Sequence, residues 1–160
     1  MIAIIIGLAI ITRNSPSIKD ITDLPFIDEY QIDTSSSINY DLALDNVEAI
    51  ENYGNYDIVI EQVDNNFGIK VMGDATATSN FIAEVSNKEL LLNTKSQNRG
   101  LAGKCSVEVR VPKCEEIKNY GISSIQFSIT DPSLELEIEN NGVGIINLTN
   151  TTAKAIDIEK

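Results

Sequence analysis

Any chemistry in this chain falls to carboxylates, lysines, tyrosines and two cysteines, because its 160 residues include no histidine and no tryptophan. Without histidine the commonest general base and the commonest zinc ligand are both missing, and no Ser-His-Asp triad can form. Paired acids are the remaining route to acid–base work. A glycosidase needs two carboxyls roughly 5–10 Å apart across one sugar, and Asp28-Glu29 and Glu115-Glu116 are the obvious pairs. Neighbours on a strand point to opposite faces, so neither pair aims both acids into one cleft. Glu135, Glu137 and Glu139 do share a face, and a row of like charges there reads as a solvated surface. Asp64-Asn65-Asn66 offers oxygens of the kind calcium takes, but no EF-hand loop or Gly-rich calcium repeat accompanies it, so it reads as a turn. Arg99-Gly100-Leu101-Ala102-Gly103-Lys104 lacks the spacing of a phosphate loop and reads as a flexible loop. The expectation is therefore no catalytic residue, no metal and no cofactor.

Cys105 and Cys114 bracket a strand-like run, Ser106-Val107-Glu108-Val109-Arg110-Val111-Pro112. Extended at about 3.3 Å per residue, that run holds its ends roughly 30 Å apart. A disulfide needs Cα atoms within about 7 Å, so the two are not bonded to each other and read as small buried hydrophobes. Tyr53, Tyr56 and Tyr120 sit at or near the turns described below. Aromatic rings make platforms for apolar sugar faces and protein contacts, which makes these three the candidate binding residues.

The chain carries 12 basic and 24 acidic side chains, a net charge of −12. That balance argues against nucleic-acid backbones and against anionic membrane surfaces. Length and a hydrophobic content of 42% fit one folded domain.

Residues 1–12 read MIAIIIGLAIIT. The run is short for a membrane span and reads as the apolar region of a secretory signal. A buried N-terminal strand and a short membrane anchor are the alternatives. Residues 13–43 are polar, punctuated by Pro16 and Pro25, and read as a spacer or leader with a short strand near residues 26–32. From Leu44 onward short aliphatic runs alternate with polar residues. Val107, Val109 and Val111 point one way, and Glu108 and Arg110 the other. No sustained helical stripe occurs, so residues 44–160 read as a nearly all-β domain.

A weak repeat organises that domain. Asn52-Tyr53-Gly54, Asn119-Tyr120-Gly121 and Asn140-Asn141-Gly142 are each followed by apolar residues four and six positions after the glycine. The last two copies lie 21 residues apart and the first two 67 apart, close to three such steps. One turn glycine and one alternating strand per step of about 20 residues suit a β-solenoid, with the glycine supplying positive φ at each corner. Lys160 falls where another corner is due, so the domain reads as cut short at its C-terminus.

Asp45-Asn46-Val47-Glu48-Ala49-Ile50, Tyr56-Asp57-Ile58-Val59-Ile60, Ile69-Lys70-Val71-Met72-Gly73-Asp74, Val107-Glu108-Val109-Arg110-Val111-Pro112 and Ile117-Lys118-Asn119-Tyr120-Gly121 follow one another in an order that resembles the head GIN domain family. Its members are exported bacterial proteins called auto-transporter adhesins. The resemblance covers residues 44–160 and implies a right-handed, single-stranded parallel β-helix, in agreement with the repeat. It also implies export to the periplasm, outer membrane or cell surface.

The function expected is a non-catalytic adhesin or scaffold that presents an extended acidic face to a protein or glycan at the cell surface. Membrane association would come through residues 1–12 alone. The alternatives are a β-helix glycan-active enzyme using paired carboxylates, or an envelope regulatory module.

Overall fold

A computed structural model describes residues 36–95 and 105–159 of the chain. Residues 1–12, the spacer through residue 35 with its expected strand, Asp28-Glu29 and the loop at 99–104 lie outside the described residues.

Among the described residues the period-2 runs form twelve strands. They are β1 (Ser36–Tyr40), β2 (Ala49–Asn52), β3 (Tyr56–Gln62), β4 (Gly68–Gly73), β5 (Phe81–Ser86), β6 (Glu89–Thr94), β7 (Cys105–Val111), β8 (Glu116–Asn119), β9 (Ile122–Ser128), β10 (Glu135–Asn140), β11 (Val143–Leu148) and β12 (Ala155–Glu159). β1 falls within the residues read as spacer. A helix, α1 (Ala75–Asn80), lies between β4 and β5. The strands make two six-stranded sheets. The first runs β1-β4-β7-β3-β9-β11, and the second β12-β10-β8-β2-β6-β5. Alternation decides which side chains go in. Val107, Val109 and Val111 of β7, Ile58 and Ile60 of β3 and Phe127 of β9 are buried from the first sheet. Ile50, Leu90, Leu92, Ile117, Leu136 and Ile138 are buried from the second, and both sets belong to one hydrophobic cluster.

The expected single-stranded parallel β-helix is not what the structure contains. Both sheets are mixed. β1 with β4, β4 with β7 and β5 with β6 pair antiparallel, and only the remaining pairs are parallel. The 67 residues between the first two Asn-x-Gly corners are not three turns of a coil, because Asn119 sits directly beside Asn52 in the sheet. The intervening chain leaves on an excursion and returns. Asn66, at φ 58°, reverses the chain between β3 and β4, and Asn87 and Lys88, at φ 51° and 69°, turn β5 back into β6. Two successive positive φ values give the primed turn that matches strand twist. Asn-Lys hides that turn in the sequence, since Lys rarely takes positive φ.

The helix was also unforeseen. Asp74 caps it, its side chain accepting from the Ala77 amide at 2.7 Å. At the same end Phe81 lies edge-on between Tyr40 and Tyr56, with ring centroids 5.1 Å apart in both pairs, and closes the core.

The three asparagines stack in register: Asn52 on Asn119 and Asn119 on Asn140. Asn52 Nδ2 donates to Asn119 Oδ1 at 2.9 Å, and Asn119 Nδ2 to Asn140 Oδ1 at 2.9 Å. Asn52 Oδ1 accepts from the Gly54 amide at 3.1 Å, and its Nδ2 also reaches Ser123 Oγ at 2.6 Å. The glycines of the motif serve a purpose other than the one expected. Gly144 alone among the described glycines has positive φ. Gly121 and Gly142 are needed because a Cβ there would lie 1.9 Å from the Gly54 carbonyl oxygen and 2.1 Å from that of Gly121.

This packing can be tested at a glycine and at an asparagine. Gly121→Ala forces adjacent backbones apart and is expected to cost at least about 2 kcal/mol, lowering the thermal midpoint by about 6 °C or more. Gly68→Ala, where a Cβ meets nothing within 4 Å, serves as the neutral comparison. Circular dichroism melts decide, and a Gly121→Ala midpoint equal to wild type would refute the close approach. Asn119→Ala removes the middle of the column, taking one acceptor from the Asn52 amide and the side-chain donor from Asn140 Oδ1, at an expected cost of about 1–3 kcal/mol. Its urea midpoint should fall with an unchanged m-value.

Candidate functional site: the acidic face of the second sheet

On the second sheet the residues between the buried aliphatics point away from the core, and strand pairing aligns them across the sheet. One row runs Glu89, Ala49, Glu116, Glu137, Asp157. The next runs Glu84, Leu91, Glu51, Lys118, Glu139, Glu159. Adjacent strands lie about 4.8 Å apart, so Glu116, Glu137 and Asp157 face one another as like charges. Among the described residues Lys118 is the one cation on these two rows. Its Nζ lies 2.8 Å from a Glu116 oxygen and 3.7 Å from Glu51. The hydrogen bond to Glu116, with the nearby carboxylates, raises its pKa far above that of a free lysine. It therefore stays charged and offsets part of the repulsion.

The outer face of the first sheet differs. Asp57, Glu61 and Glu108 are set against Lys70 and Arg110, with Ser106, Ser124 and Gln126 between them. The Arg110 Nε is 4.0 Å from Glu61. Negative charge is thus concentrated on one face of the domain.

The tyrosine candidates divide. Tyr53 and Tyr120 follow β2 and β8 and stack with centroids 4.8 Å apart and planes 18° from parallel. Their hydroxyls donate to Glu51 at 3.2 Å and to Glu139 at 3.3 Å. Burial and then the glutamate charge raise both phenol pKa values. The pair therefore joins the end of the second acidic row. Tyr56 does not join them. It is 3% exposed, packs on Phe81, and its hydroxyl donates to the Asn93 carbonyl.

A cleft of about 730 Å³ opens beside the rows, lined by Lys113, Glu115, Glu116, Asp131, Ser133, Glu135, Glu137 and Asp157 among others. Glu115 pairs with Lys113, so the two members of the Glu115-Glu116 pair are held by different lysines. Hydrogen bonds from the Ser133 hydroxyl and amide lower the Asp131 pKa, and Lys154 lowers that of Glu135. A general acid at neutral pH needs the opposite shift, and among the described residues no aromatic ring lines the cleft to hold a sugar. Glu116, Glu137, Asp157, Glu139 and Glu159 were not read from the sequence as one surface. Their recurrence with the Asn-x-Gly spacing was the available signal.

The family model described as "Putative auto-transporter adhesin, head GIN domain" matches residues 29–160. The chain belongs to this family. The family description implies an exported or surface protein and points away from an enzyme. Among solved structures, a "putative adhesin" from Bacteroides fragilis is similar with a TM-score of 0.58 and 16% identity, over 79% of this chain and 59% of that one. A "putative adhesin" from Parabacteroides merdae has a TM-score of 0.52 and 14% identity, over 77% and 57%. A "putative lipid binding protein" from Parabacteroides distasonis has 0.51 and 17%, over 78% and 60%. At these identities the likeness is one of fold, and the chain spans less than two thirds of each of the three. No curated protein is similar enough to count as a relative.

Cys105 and Cys114 are free and buried, and burial pushes both thiols up to about 12. Thiolate is the reactive form, so the native head GIN domain should resist DTNB at about pH 8 and titrate two thiols once denatured. Rapid native labelling would contradict the burial. The raised thiols also set a direction for stability. Above about pH 9 the unfolded chain loses thiol protons that the folded chain keeps, so the thermal midpoint should decline from pH 9 towards 12, and less steeply in a Cys105→Ala/Cys114→Ala variant.

Proposed function

We propose that this domain is a non-catalytic adhesion module of the cell envelope that engages a cationic protein surface through the outer face of its second sheet. The observation that carries the reading is charge segregation: Glu116, Glu137, Asp157, Glu139 and Glu159 align on one face, while the opposite sheet balances its acids with Lys70 and Arg110. An aligned acidic face attracts a basic partner at long range and repels a like-charged one. Strand-borne carboxylates hold fixed spacings, which suits a repetitive contact better than a single pocket. The stacked Tyr53–Tyr120 pair adds apolar contact area at the edge of the same face. Family membership supports envelope placement, in the periplasm, at the outer membrane or on the cell surface. Among the described residues no helix is long and apolar enough to cross a membrane. Asp131 and Glu135 in the cleft have lowered pKa values, the opposite of what a general acid needs, and among the described residues no aromatic ring lines it.

Binding to immobilised poly-L-lysine tests the reading. Wild-type protein should be retained at low salt and released as ionic strength rises. A Glu116→Gln/Glu137→Gln/Asp157→Asn variant should lose at least about tenfold in affinity, while Glu61→Gln/Glu108→Gln on the first sheet should bind like wild type. Equal losses in both variants would show that net charge, and not this face, is what the probe senses.

A further inference from the structure

Gly68 opens β4, and its backbone gives no reason for a glycine. Its φ is not positive, since Gly144 alone among the described glycines has that conformation, and a Cβ on it would meet nothing within 4 Å, unlike one on Gly121 or Gly142. A strand glycine costs stability. Where neither a turn nor a backbone contact requires it, it marks a site where a ligand comes close. The space above Gly68 belongs to a second cleft, of about 380 Å³, on the outer face of the first sheet.

Strand register arranges the walls of that cleft. Gly68 faces Arg110 on β7, and Lys70, two positions along β4, faces Glu108. Lys70 and Arg110 are therefore diagonal neighbours, about 7–8 Å apart, with no side chain at Gly68 to separate them. Asn39 of β1 lies beside Lys70, and Asp41, just past β1, lines the cleft together with the half-buried ring of Phe67. Among the described residues Lys70, Asp41 and Glu108 make no side-chain hydrogen bond or ion pair, and the Arg110 Nε comes no nearer to Glu61 than 4.0 Å. The polar groups of the cleft are thus not engaged with one another.

We propose that this cleft binds an acidic sugar, a hexuronate unit of a polysaccharide, with its carboxylate over Gly68 between Arg110 and Lys70. The two cations call for an anion, and a guanidinium takes a carboxylate through two parallel hydrogen bonds. Asp41 and Glu108 restrict which anion. They repel a phosphate dianion, and they accept from donors, which the hydroxyls of a sugar supply. Asn39 offers both a donor and an acceptor to the same hydroxyls, and the Phe67 ring suits the apolar C–H face of a pyranose. Lys70 and Arg110 are exposed, so the cleft is open along the sheet. An open cleft admits one unit of a longer chain and covers too little of a free amino acid to hold it. The site lies on the other sheet from the acid rows and does not depend on their role.

Isothermal titration calorimetry on the full chain, with tetragalacturonate as the probe, is the test. Tetragalacturonate should bind, and the neutral maltotetraose should not. Gly68→Val should lose at least about tenfold in affinity. Its thermal midpoint should stay at or above that of wild type, because a Cβ there meets nothing and strands favour β-branched residues. Arg110→Gln, at an exposed position, should lose as much, and Glu137→Gln on the second sheet should lose nothing. A wild-type chain that binds no tetragalacturonate overturns the proposal, as does wild-type affinity in Arg110→Gln or in folded Gly68→Val. Equal affinity for a tetra-aspartate peptide overturns it too, because carboxylates without hydroxyls would then suffice. Displacement of the probe by equimolar inorganic phosphate or glycine overturns the choice of a sugar in the same way.

Discussion

A column of asparagine side chains, Asn52 on Asn119 on Asn140, sets the register on which the rest of this domain depends. Burying a primary amide is costly unless its donors and acceptor are met. Here Asn52 is 1% exposed and Asn119 is fully buried, and each finds its partner in the same residue one strand away. Slipping a strand by one residue would break the column and turn the apolar face outward at once. The close-approach glycines reinforce the choice, because only a residue without a Cβ lets Gly142 come so near the Gly121 carbonyl. Hydrogen bonding and packing thus specify one register together.

That register has consequences on both sides of the sheets. Inward, it stacks Ile50 beside Ile117 and Ile117 beside Ile138, which supplies a continuous core. Outward, the same alignment brings Glu116, Glu137 and Asp157 abreast. A repeat selected for its interior therefore generates an ordered charge pattern on its exterior. Lys118, held between Glu116 and Glu51, relieves part of the repulsion on this face.

Much of this was legible residue by residue. The alternation in β7 and β10 told which side chains are buried, and the Asn-x-Gly repeat marked corners that do lie beside one another. The two thiols were readable as unbonded from the strand between them. The β-helix reading failed between the first and second corners. Spacing alone cannot distinguish three coil turns from an excursion of antiparallel strands, and the reversals rest on Asn66, Asn87 and Lys88, whose positive φ values leave no signature as clear as Asn-Gly. The helix was missed because six residues, Ala-Thr-Ala-Thr-Ser-Asn, are too few to show a period, and its Asp74 cap resembles any turn aspartate. Of the three tyrosines, sequence position placed all of them near corners. The alternation that buries Ile58 and Ile60 also turns Tyr56 inward, and that parity was available to be read.

By itself the sequence determined most of the strands from residue 44 onward, their inward faces, the positions of the Asn-x-Gly corners and the family, because these depend on local periodicity and on residue types a few positions apart. Tertiary structure alone decided which strands are neighbours. That choice set the direction of each pair and gathered the acids of separate strands onto one face. Strand neighbours are fixed by contacts between residues distant in the chain, where loop closure costs little extra for a long excursion and packing chooses among the alternatives.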